Sequence, residues 1–242
     1  MTEPVSYRQS LPLEPLAILS RAAAMGRTLV GVRWAGALLE RIGVFDGIHA
    51  EGGQLVAHGP SHMTRLDPAA IVAIVADRSE TPHDTVLAYV DFLGADGHSI
   101  IKVTAMDGIE HFDAALAGIP RSSLPYQSPI ERSSVPVDPS DPGALPFKAA
   151  AASGETITLS LTRPGAFQSW TGPITRLHFG HNYINILQDM VHLHLRGQQI
   201  ASWQVERSNG RALWSSVGTD GAAFGLRIEG PEAAFADTAV PA

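Results

Sequence analysis

Short runs of alternating apolar and polar residues make up most of this chain, and such runs are typical of half-buried β-strands. In residues 156–162, for example, Ile157, Leu159 and Leu161 fall on one face. The runs predict strands at 28–34, 38–42, 54–57, 63–66, 71–76, 86–93 and 99–104, and at 156–162, 167–171, 174–179, 183–187, 190–196, 201–207, 213–217 and 222–227. Strands at this spacing favour antiparallel sheets.

Two segments have a helical pattern instead. Residues 16–25 are rich in Leu and Ala, with Pro15 suited to a first turn and Gly26 to a C-terminal cap. Residues 107–116 predict a short helix with Asp107 near its N-cap.

The predicted strands belong to two related copies of one module. The motif LGADG at 93–97 matches VGTDG at 217–221, which lies 124 positions later. The run IVAIVADR at 71–78 matches IASWQVER at 200–207, which lies 129 positions later. A repeat of about half the chain predicts an α+β protein of two sequence-related β-rich modules. We expect each module to be a large antiparallel sheet with flanking helices.

The domain boundaries follow from the repeat and from changes in composition. Residues 119–148 are dense in Pro and Ser and lack periodicity, which indicates a linker, and the Ala-rich tail is expected to fray. The predicted organisation is an N-terminal helix and tail at 1–26, repeat one at 27–118, a Pro-rich linker at 119–154, repeat two at 155–232 and a flexible tail at 233–242.

Composition excludes several classes of function. The formal net charge of −7 argues against nucleic acid or an anionic membrane surface as the main partner. Because the chain has no Cys, thiol catalysis, disulfides and Cys-ligated zinc are excluded. The apolar run at 69–76 is too short to span a bilayer, and the N-terminus lacks a signal-peptide pattern. We therefore expect a cytoplasmic protein with no membrane insertion.

Four of the ten His residues lie close together, at His178, His181, His192 and His194. In the strand predicted at 190–196, side chains alternate between two faces, so His192, His194 and Arg196 share one face. That face is either the solvated side of a sheet or a ligand face. Imidazole is a common metal ligand, and Arg is a natural clamp for a carboxylate.

The 129-residue offset relates His194 to Arg65 and His192 to Met63. One module therefore has an imidazole where the other has a guanidinium. Arg65 is either a surface residue paired with an acid such as Asp67 or a basic residue of a binding site.

Several blocks of sequence resemble those of one known family. In the second half they are YINIL at 183–187, LHL at 193–195, IASW at 200–203 and FGLRIEG at 224–230. In the first half they are Gly26-Arg27 with Arg33, ERIGVF at 40–45, Arg65-Leu66, residues 92–97 and Lys102-Val103. Through these blocks, residues 14–118 and 155–232 resemble the HemS/ChuX haemin-utilisation (haemin-degrading factor-like) family.

The resemblance implies a cytoplasmic haem-binding protein of haem and iron utilisation, acting as a carrier or as a haemin-degrading factor. Haem is the expected ligand, and no free metal is expected. The resemblance implies His194 as the first choice for the haem iron, with His192, His178 and His181 as the other candidates. The other candidate haem-contacting residues are Arg65 on the opposite face of the haem, Arg227 or Arg196 near the propionates, and Phe224.

The resemblance leaves catalysis open. No catalytic residue is assigned, a redox or haem-transfer partner protein is compatible with the family, and the oligomeric state is open. Two-repeat members of the family carry their proximal His on a helical insert between the repeats, whereas residues 119–148 here contain no His. Iron is then ligated from elsewhere, or tight haem binding is absent.

Two further hypotheses remain. His192-Leu193-His194 resembles the His-x-His metal pair of cupin-like enzymes, but the carboxylate of that motif is missing, since residues 198–200 are Gln, Gln and Ile. Alternatively, the chain is a divergent scaffold that keeps the fold without binding haem and uses its sheet for protein contacts.

Overall fold

The computed structural model describes residues 5–60, 62–80, 86–127 and 137–236. The α-helices in these ranges are α1 Pro15–Leu19, α2 Ile109–Ala115 and α3 Leu145–Ser153. The strands in these ranges are β1 Gln9–Leu11, β2 Arg27–Trp34, β3 Ala37–Val44, β4 His49–Glu51, β5 Gln54–His58, β6 Met63–Leu66, β7 Ala73–Glu80, β8 Leu87–Leu93, β9 Ser99–Ala105, β10 Ser122–Ser123, β11 Thr156–Arg163, β12 Ala166–Pro173, β13 Leu177–Gly180, β14 Tyr183–Gln188, β15 Val191–Arg196, β16 Ile200–Ser208, β17 Arg211–Gly218 and β18 Ala223–Pro231.

The chain forms two compact units. Within the described residues, the first unit takes its members from Met1–Val32, Arg41–Glu131 and Pro164–Ala166. Its strands follow the order β10-β1-β7-β8-β9-β2 in one sheet and β6-β5-β4 in another. The pairings of β7 with β8, β8 with β9, β9 with β2 and β5 with β6 are antiparallel.

The second unit takes its described residues from Arg33–Glu40, Arg132–Arg163 and Phe167–Ala242. Its strands follow the order β16-β17-β18-β11-β12 in one sheet. In the other sheet, residues 37–40 of β3 are followed by β15, β14 and β13. The pairings in β16-β17-β18-β11 and β15-β14-β13 are antiparallel. The predicted α+β fold with antiparallel sheets and few helices is confirmed.

The internal repeat is visible in the succession of elements. The first copy runs from α1 through β2–β9 to α2, and the second runs from α3 through β11–β18 to a short 3-10 helix at Glu232–Phe235. The hairpin registers repeat as well, because Val56 pairs with Arg65 and Asn185 pairs with His194 at the same 129-residue offset. The sequence relation between Arg65 and His194 is therefore also a structural one.

The helix α3 lies inside the range predicted as a Pro-rich linker. Pro146 lies in its first turn, and Gly154 ends it in the left-handed conformation at φ 69°. The same arrangement of Pro and Gly brackets the first copy's helical segment, from Pro15 to Gly26. The helical pattern of α3 was not recognised in the sequence because the residues that precede it are rich in Pro and Ser.

Other boundaries differ from the prediction for local reasons. The strand predicted from 71 begins at Ala73, because a 3-10 turn capped by Asp67 occupies Pro68–Ala70. Residues 20–25 form a 3-10 helix rather than a continuation of α1. Asp107 does not cap α2, since its carboxylate accepts a hydrogen bond of 2.7 Å from the backbone N–H of Arg27.

The apolar core of the second unit is built around aromatic side chains. Trp214 is fully buried, and its ring lies 5.5 Å from that of Phe235. Trp203 packs edge to face on Phe147 of α3 at 5.9 Å, and its indole N–H donates to the carbonyl of Pro142. These contacts dock α3 on the sheet that contains β16 and β17. Across the described ranges, the chain has no helix with the length and apolar character needed to cross a membrane.

Candidate functional site

The His-containing strand β15 has one buried face and one open face. Val191, Leu193 and Leu195 are fully buried, whereas the side chains of His192 and His194 are 30% and 28% exposed. The alternation of the sequence therefore turns both imidazoles to the same, half-exposed side of the sheet.

Neighbouring strands extend this open face. In the β14–β15 hairpin, Asn185 pairs with His194 and Leu187 pairs with His192, so their side chains lie beside the imidazoles. On β13, His178 pairs with Asn185 and is exposed. We call the open side of these strands the imidazole face, formed by His178, Tyr183, Asn185, Leu187, His192, His194 and Arg196.

A carboxylate from a distant part of the chain completes the centre of this face. Glu40 lies on β3, and its Oε2 is 3.5 Å from Nδ1 of His192 and 3.4 Å from Nε2 of His194. Its side chain is 14% exposed. Burial raises the pKa of Glu40, but the hydrogen bonds and charges of His192 and His194 outweigh it and lower the pKa to about 2. The group is therefore an ionised, largely buried carboxylate.

The ring of His194 is held in one tautomer by Asn185. The amide nitrogen of Asn185 donates to the carbonyls of Tyr183 at 3.0 Å and Gly180 at 3.3 Å. The amide oxygen is thereby turned to Nδ1 of His194, at 2.7 Å. Since an amide oxygen only accepts, Nδ1 carries the proton, an assignment that follows from the hydrogen-bond network. In the neutral ring the lone pair is then on Nε2, and in the charged ring Nε2 carries the second proton.

The Nε2 lone pair faces another acceptor. The nearest carboxylate oxygen, Glu40 Oε2, is 3.4 Å away. Two acceptors at this distance repel each other unless a cation, either a proton or a metal ion, lies between them. The geometry of Glu40 and His194 therefore defines a position for a cation.

Aromatic rings stand edge to face around His194. The ring of Tyr183 lies 6.1 Å from it at 83°, and the ring of His192 lies 6.0 Å from it at 81°. Two cavities, of about 270 and 470 Å³, are lined by residues 149–155 with 233–236 and by residues 14–17 with Leu55 and Pro68. Neither of these two cavities borders the imidazole face.

The remaining predicted site residues are distributed more widely. Arg196 is exposed at the end of β15, where it pairs with Tyr183. His181 is exposed in the turn between β13 and β14, with φ 51°. On β18, in the other sheet of the second unit, Arg227 is exposed and Phe224 is buried. Neither of these two belongs to the imidazole face.

Arg65 belongs to the first unit. It is exposed on β6, opposite Val56, and its neighbours Thr64 and Leu66 on the strand are buried. Its side chain is therefore on the open side of its own sheet, as that of His194 is in the second unit.

Two residues of the site were not predicted, Glu40 and Asn185. A two-residue turn at Asp189-Met190 fixes the register of the β14–β15 hairpin, and counting back from it would have paired Asn185 with His194. Glu40 lies 152 positions before His192, and no local pattern connects them. The carboxylate that the His-x-His motif lacked in its own strand is thus supplied by β3.

Comparison with known proteins identifies the fold. No protein-family model matches the sequence, and no curated protein matches it. Among solved structures, the haem-degrading enzyme ChuS of Escherichia coli O157:H7 is 16% identical with a TM-score of 0.77, covering 97% of this chain and 87% of that chain. The haem-bound form of PhuS, a haem-binding protein from Pseudomonas aeruginosa, is 17% identical with a TM-score of 0.73, covering 92% and 81%.

A second ChuS structure, described as an E. coli haem oxygenase, is 16% identical with a TM-score of 0.74, covering 93% of this chain and 83% of that chain. At these identities the likeness is one of fold. It confirms the fold that the sequence resemblance implied, over nearly the whole chain.

Proposed function

We propose that this chain is a cytoplasmic haem-binding protein of haem and iron utilisation, and that His194 ligates the haem iron. The observation that carries the proposal is the Asn185–His194 pair. It leaves the Nε2 lone pair of the neutral imidazole, which lies on the half-exposed face of β15 and is directed at Glu40, for a cation to bind. The fold supports the proposal, because ChuS and PhuS, which share it, are described as haem-degrading and haem-binding proteins.

The donor set fits a haem. Haem iron takes an axial imidazole, and such a ligand is usually oriented by a hydrogen bond from its other ring nitrogen. His194 has that bond, to Asn185 Oδ1. Tyr183 and Leu187 are half-buried beside it and offer apolar surface to a porphyrin.

Arg196 is the cation that we assign to a propionate, because it is exposed on the same face and strand as His194. Arg227 is the alternative. Arg65, the repeat-related counterpart of His194 in the first unit, is kept as a further candidate for a basic haem-contacting residue. His192, His178 and His181 are the alternative iron ligands.

Glu40 has a defined part in this proposal. Iron and Glu40 compete for the same nitrogen, since the carboxylate lies 3.4 Å from His194 Nε2. If iron were bound at Nε2, Glu40 would still have Nδ1 of His192 as a partner at 3.5 Å. Removal of the Glu40 charge therefore leaves the haem ligand in place and removes its competitor.

A bound haem would supply an iron centre with the capacity to bind oxygen. The chain's own residues orient the imidazole, hold a propionate and cover one side of the porphyrin. A carrier needs no more than this, whereas a degrading enzyme also needs an electron donor from a partner protein.

The cupin-like alternative is not favoured, because the fold of nearly the whole chain is similar to that of ChuS and PhuS. The divergent scaffold is tested by the same experiment as the main proposal.

Titration of the purified protein with haemin, followed by the Soret absorption, tests the proposal. The wild type gives a saturable Soret shift with one haem per chain, and His194→Ala weakens binding at least about tenfold, which corresponds to about 1.4 kcal/mol. His98→Ala is the matched control, because His98 is exposed in a turn of the first unit. An unshifted Soret band for the wild type favours the scaffold. An unchanged titration for His194→Ala rejects the assigned ligand, and variants of His192, His178 and His181 then identify the correct one.

A further inference from the structure

We propose that Glu40, His192 and His194 form a binding site for one divalent transition-metal ion, Zn²⁺ or Fe²⁺, independent of any porphyrin. We call these residues the His–Glu cluster. The proposal goes beyond haem binding, and His194 is the one ligand that it shares with the first-choice haem site. It also departs from the expectation, drawn from the family resemblance, that the chain binds no free metal.

The distances within the cluster suit a metal ion. Glu40 Oε2 lies 3.5 Å from His192 Nδ1 and 3.4 Å from His194 Nε2. Each of the three residues offers one ligand atom, and these atoms lie within 4.8 Å of one another. Ligands bound tetrahedrally at about 2.1 Å lie about 3.4 Å from each other. The two measured edges therefore already match those of a tetrahedral site.

The hydrogen-bond network leaves a place for a cation. Asn185 Oδ1 accepts from Nδ1 of His194 at 2.7 Å, so the ring directs its lone pair at Glu40. A metal-binding His commonly donates its second ring nitrogen to a neighbouring acceptor, which fixes its orientation and raises its basicity as a ligand. Asn185 fills that role here.

The donor set selects the kind of metal. Two imidazoles and one carboxylate favour Zn²⁺ or Fe²⁺, whereas Mg²⁺ and Ca²⁺ prefer oxygen ligands. Three protein ligands leave a coordination position for water or a small molecule. The 30% and 28% exposure of the two His side chains gives an ion direct access from solvent.

The site is specific to one copy of the repeat. The positions related to Glu40, His192 and His194 by the 129-residue offset hold Ser169, Met63 and Arg65. None of these is an imidazole or a carboxylate, so the relation that makes the two copies alike does not reproduce the cluster. The second unit therefore has a cluster of metal-binding side chains that the repeat-related positions lack.

Titration of tag-free protein with Co²⁺, followed by its visible d–d absorption, and with Zn²⁺, followed by calorimetry, tests the site. The wild type should bind one ion per chain with the intense absorption of a tetrahedral complex. Glu40→Gln and His192→Ala should each lower the affinity by about 100-fold, and Asn185→Asp should change it by about 10-fold. His98→Ala should bind as the wild type does.

The outcomes separate this site from haem binding. Glu40→Gln is nearly isosteric, so circular dichroism should show it folded. Its haemin affinity should rise, because Glu40 no longer competes with iron for Nε2 of His194, while its Co²⁺ affinity should fall by about 100-fold. A wild type that gives neither a Co²⁺ spectrum nor calorimetric heat overturns the metal site, in which case a proton occupies the cluster. Co²⁺ binding that survives both Glu40→Gln and His192→Ala overturns it as well. Failure of the haemin titration alone leaves the metal site standing.

Discussion

Nδ1 of His194 donates a hydrogen bond of 2.7 Å to the side-chain oxygen of Asn185, its cross-strand partner in the β14–β15 hairpin. This one bond decides which nitrogen of the ring is available to a ligand. Both the proposed haem ligand and the proposed metal site depend on it, because each uses the lone pair on Nε2. Both residues of the pair come from this one hairpin, whose register places them opposite each other.

Asn185→Ala should loosen the His194 ring and lower haem affinity by about 10- to 100-fold. It should also lower the free energy of unfolding by about 1–3 kcal/mol, because the carbonyls of Gly180 and Tyr183 lose their donor. Histidine-selective ¹⁵N NMR of the wild type should show the proton on Nδ1 of His194. A proton on Nε2 with none on Nδ1 would contradict the assigned tautomer.

Arg196→Gln should lower haem affinity about fivefold, the effect of one exposed charge pair. The comparison ligand is haem dimethyl ester, whose carboxylates are blocked. If Arg196 holds a propionate, the wild type and the variant should bind the ester equally well. An equal loss for both ligands would mean that Arg196 acts through packing, and Arg227→Gln would then be the variant to measure.

The buried His62 should make the first unit sensitive to acid. It is 1% exposed, and its Nε2 lies 3.4 Å from the carbonyl of Gly43. Burial lowers the pKa of His62 from 6.5 to about 4, and the positive charge of Arg41 lowers it further. The hydrogen bond to Gly43 and the negative charge of Asp46 raise this pKa, but by less. Below pH 6.5 the unfolded chain binds a proton that the folded chain does not, so stability falls as pH decreases toward 4.

Urea unfolding at pH 7.0 and 4.5 measures this effect. His62 should account for a loss of about 2–3 kcal/mol between these pH values, at about 1.4 kcal/mol per pH unit. His62→Leu lacks the titrating group and should lose less stability by that amount over the same interval. Equal losses in the two proteins would show that His62 titrates normally in the fold.

Gly225 tests the packing of β18 against β11. Its φ is +95°, and an added Cβ would overlap the carbonyl oxygen of Thr162. Gly225→Ala should therefore reduce the free energy of unfolding by about 3 kcal/mol or more. Gly210→Ala is the control, since Gly210 has φ +73° with open space around it, and should cost only about 1 kcal/mol. Equal unfolding midpoints for the two variants would contradict the packing argument.

Much of the fold was predictable because strands such as β11 and β15 alternate between buried and more exposed residues, and because the set of strands repeats. The alternation fixes which residues of β15 are buried, and the 129-residue offset by itself relates Arg65 to His194. The short strands β1, β4 and β10 escaped prediction, because two or three residues are too few to show a period. α3 escaped prediction because its helical composition follows directly on a Pro-rich segment.

The candidate site, like the fold, was predictable only in part. His192, His194 and Arg196 come from one strand, so side-chain alternation predicts their common face. Glu40 comes from β3, and only the pairing of strands far apart in sequence brings its carboxylate to the two imidazoles. Sequence patterns of period two carry no information about which strands become neighbours, so this ligand could not be predicted from them.

The most direct measurement of the central claim is a crystal structure of the protein in complex with haemin. We expect iron bonded to Nε2 of His194, with Nδ1 of the same ring still donating to Asn185 and with the porphyrin lying on the imidazole face. Iron bonded to any other residue, with His194 still in contact with Glu40, would contradict the proposed haem site.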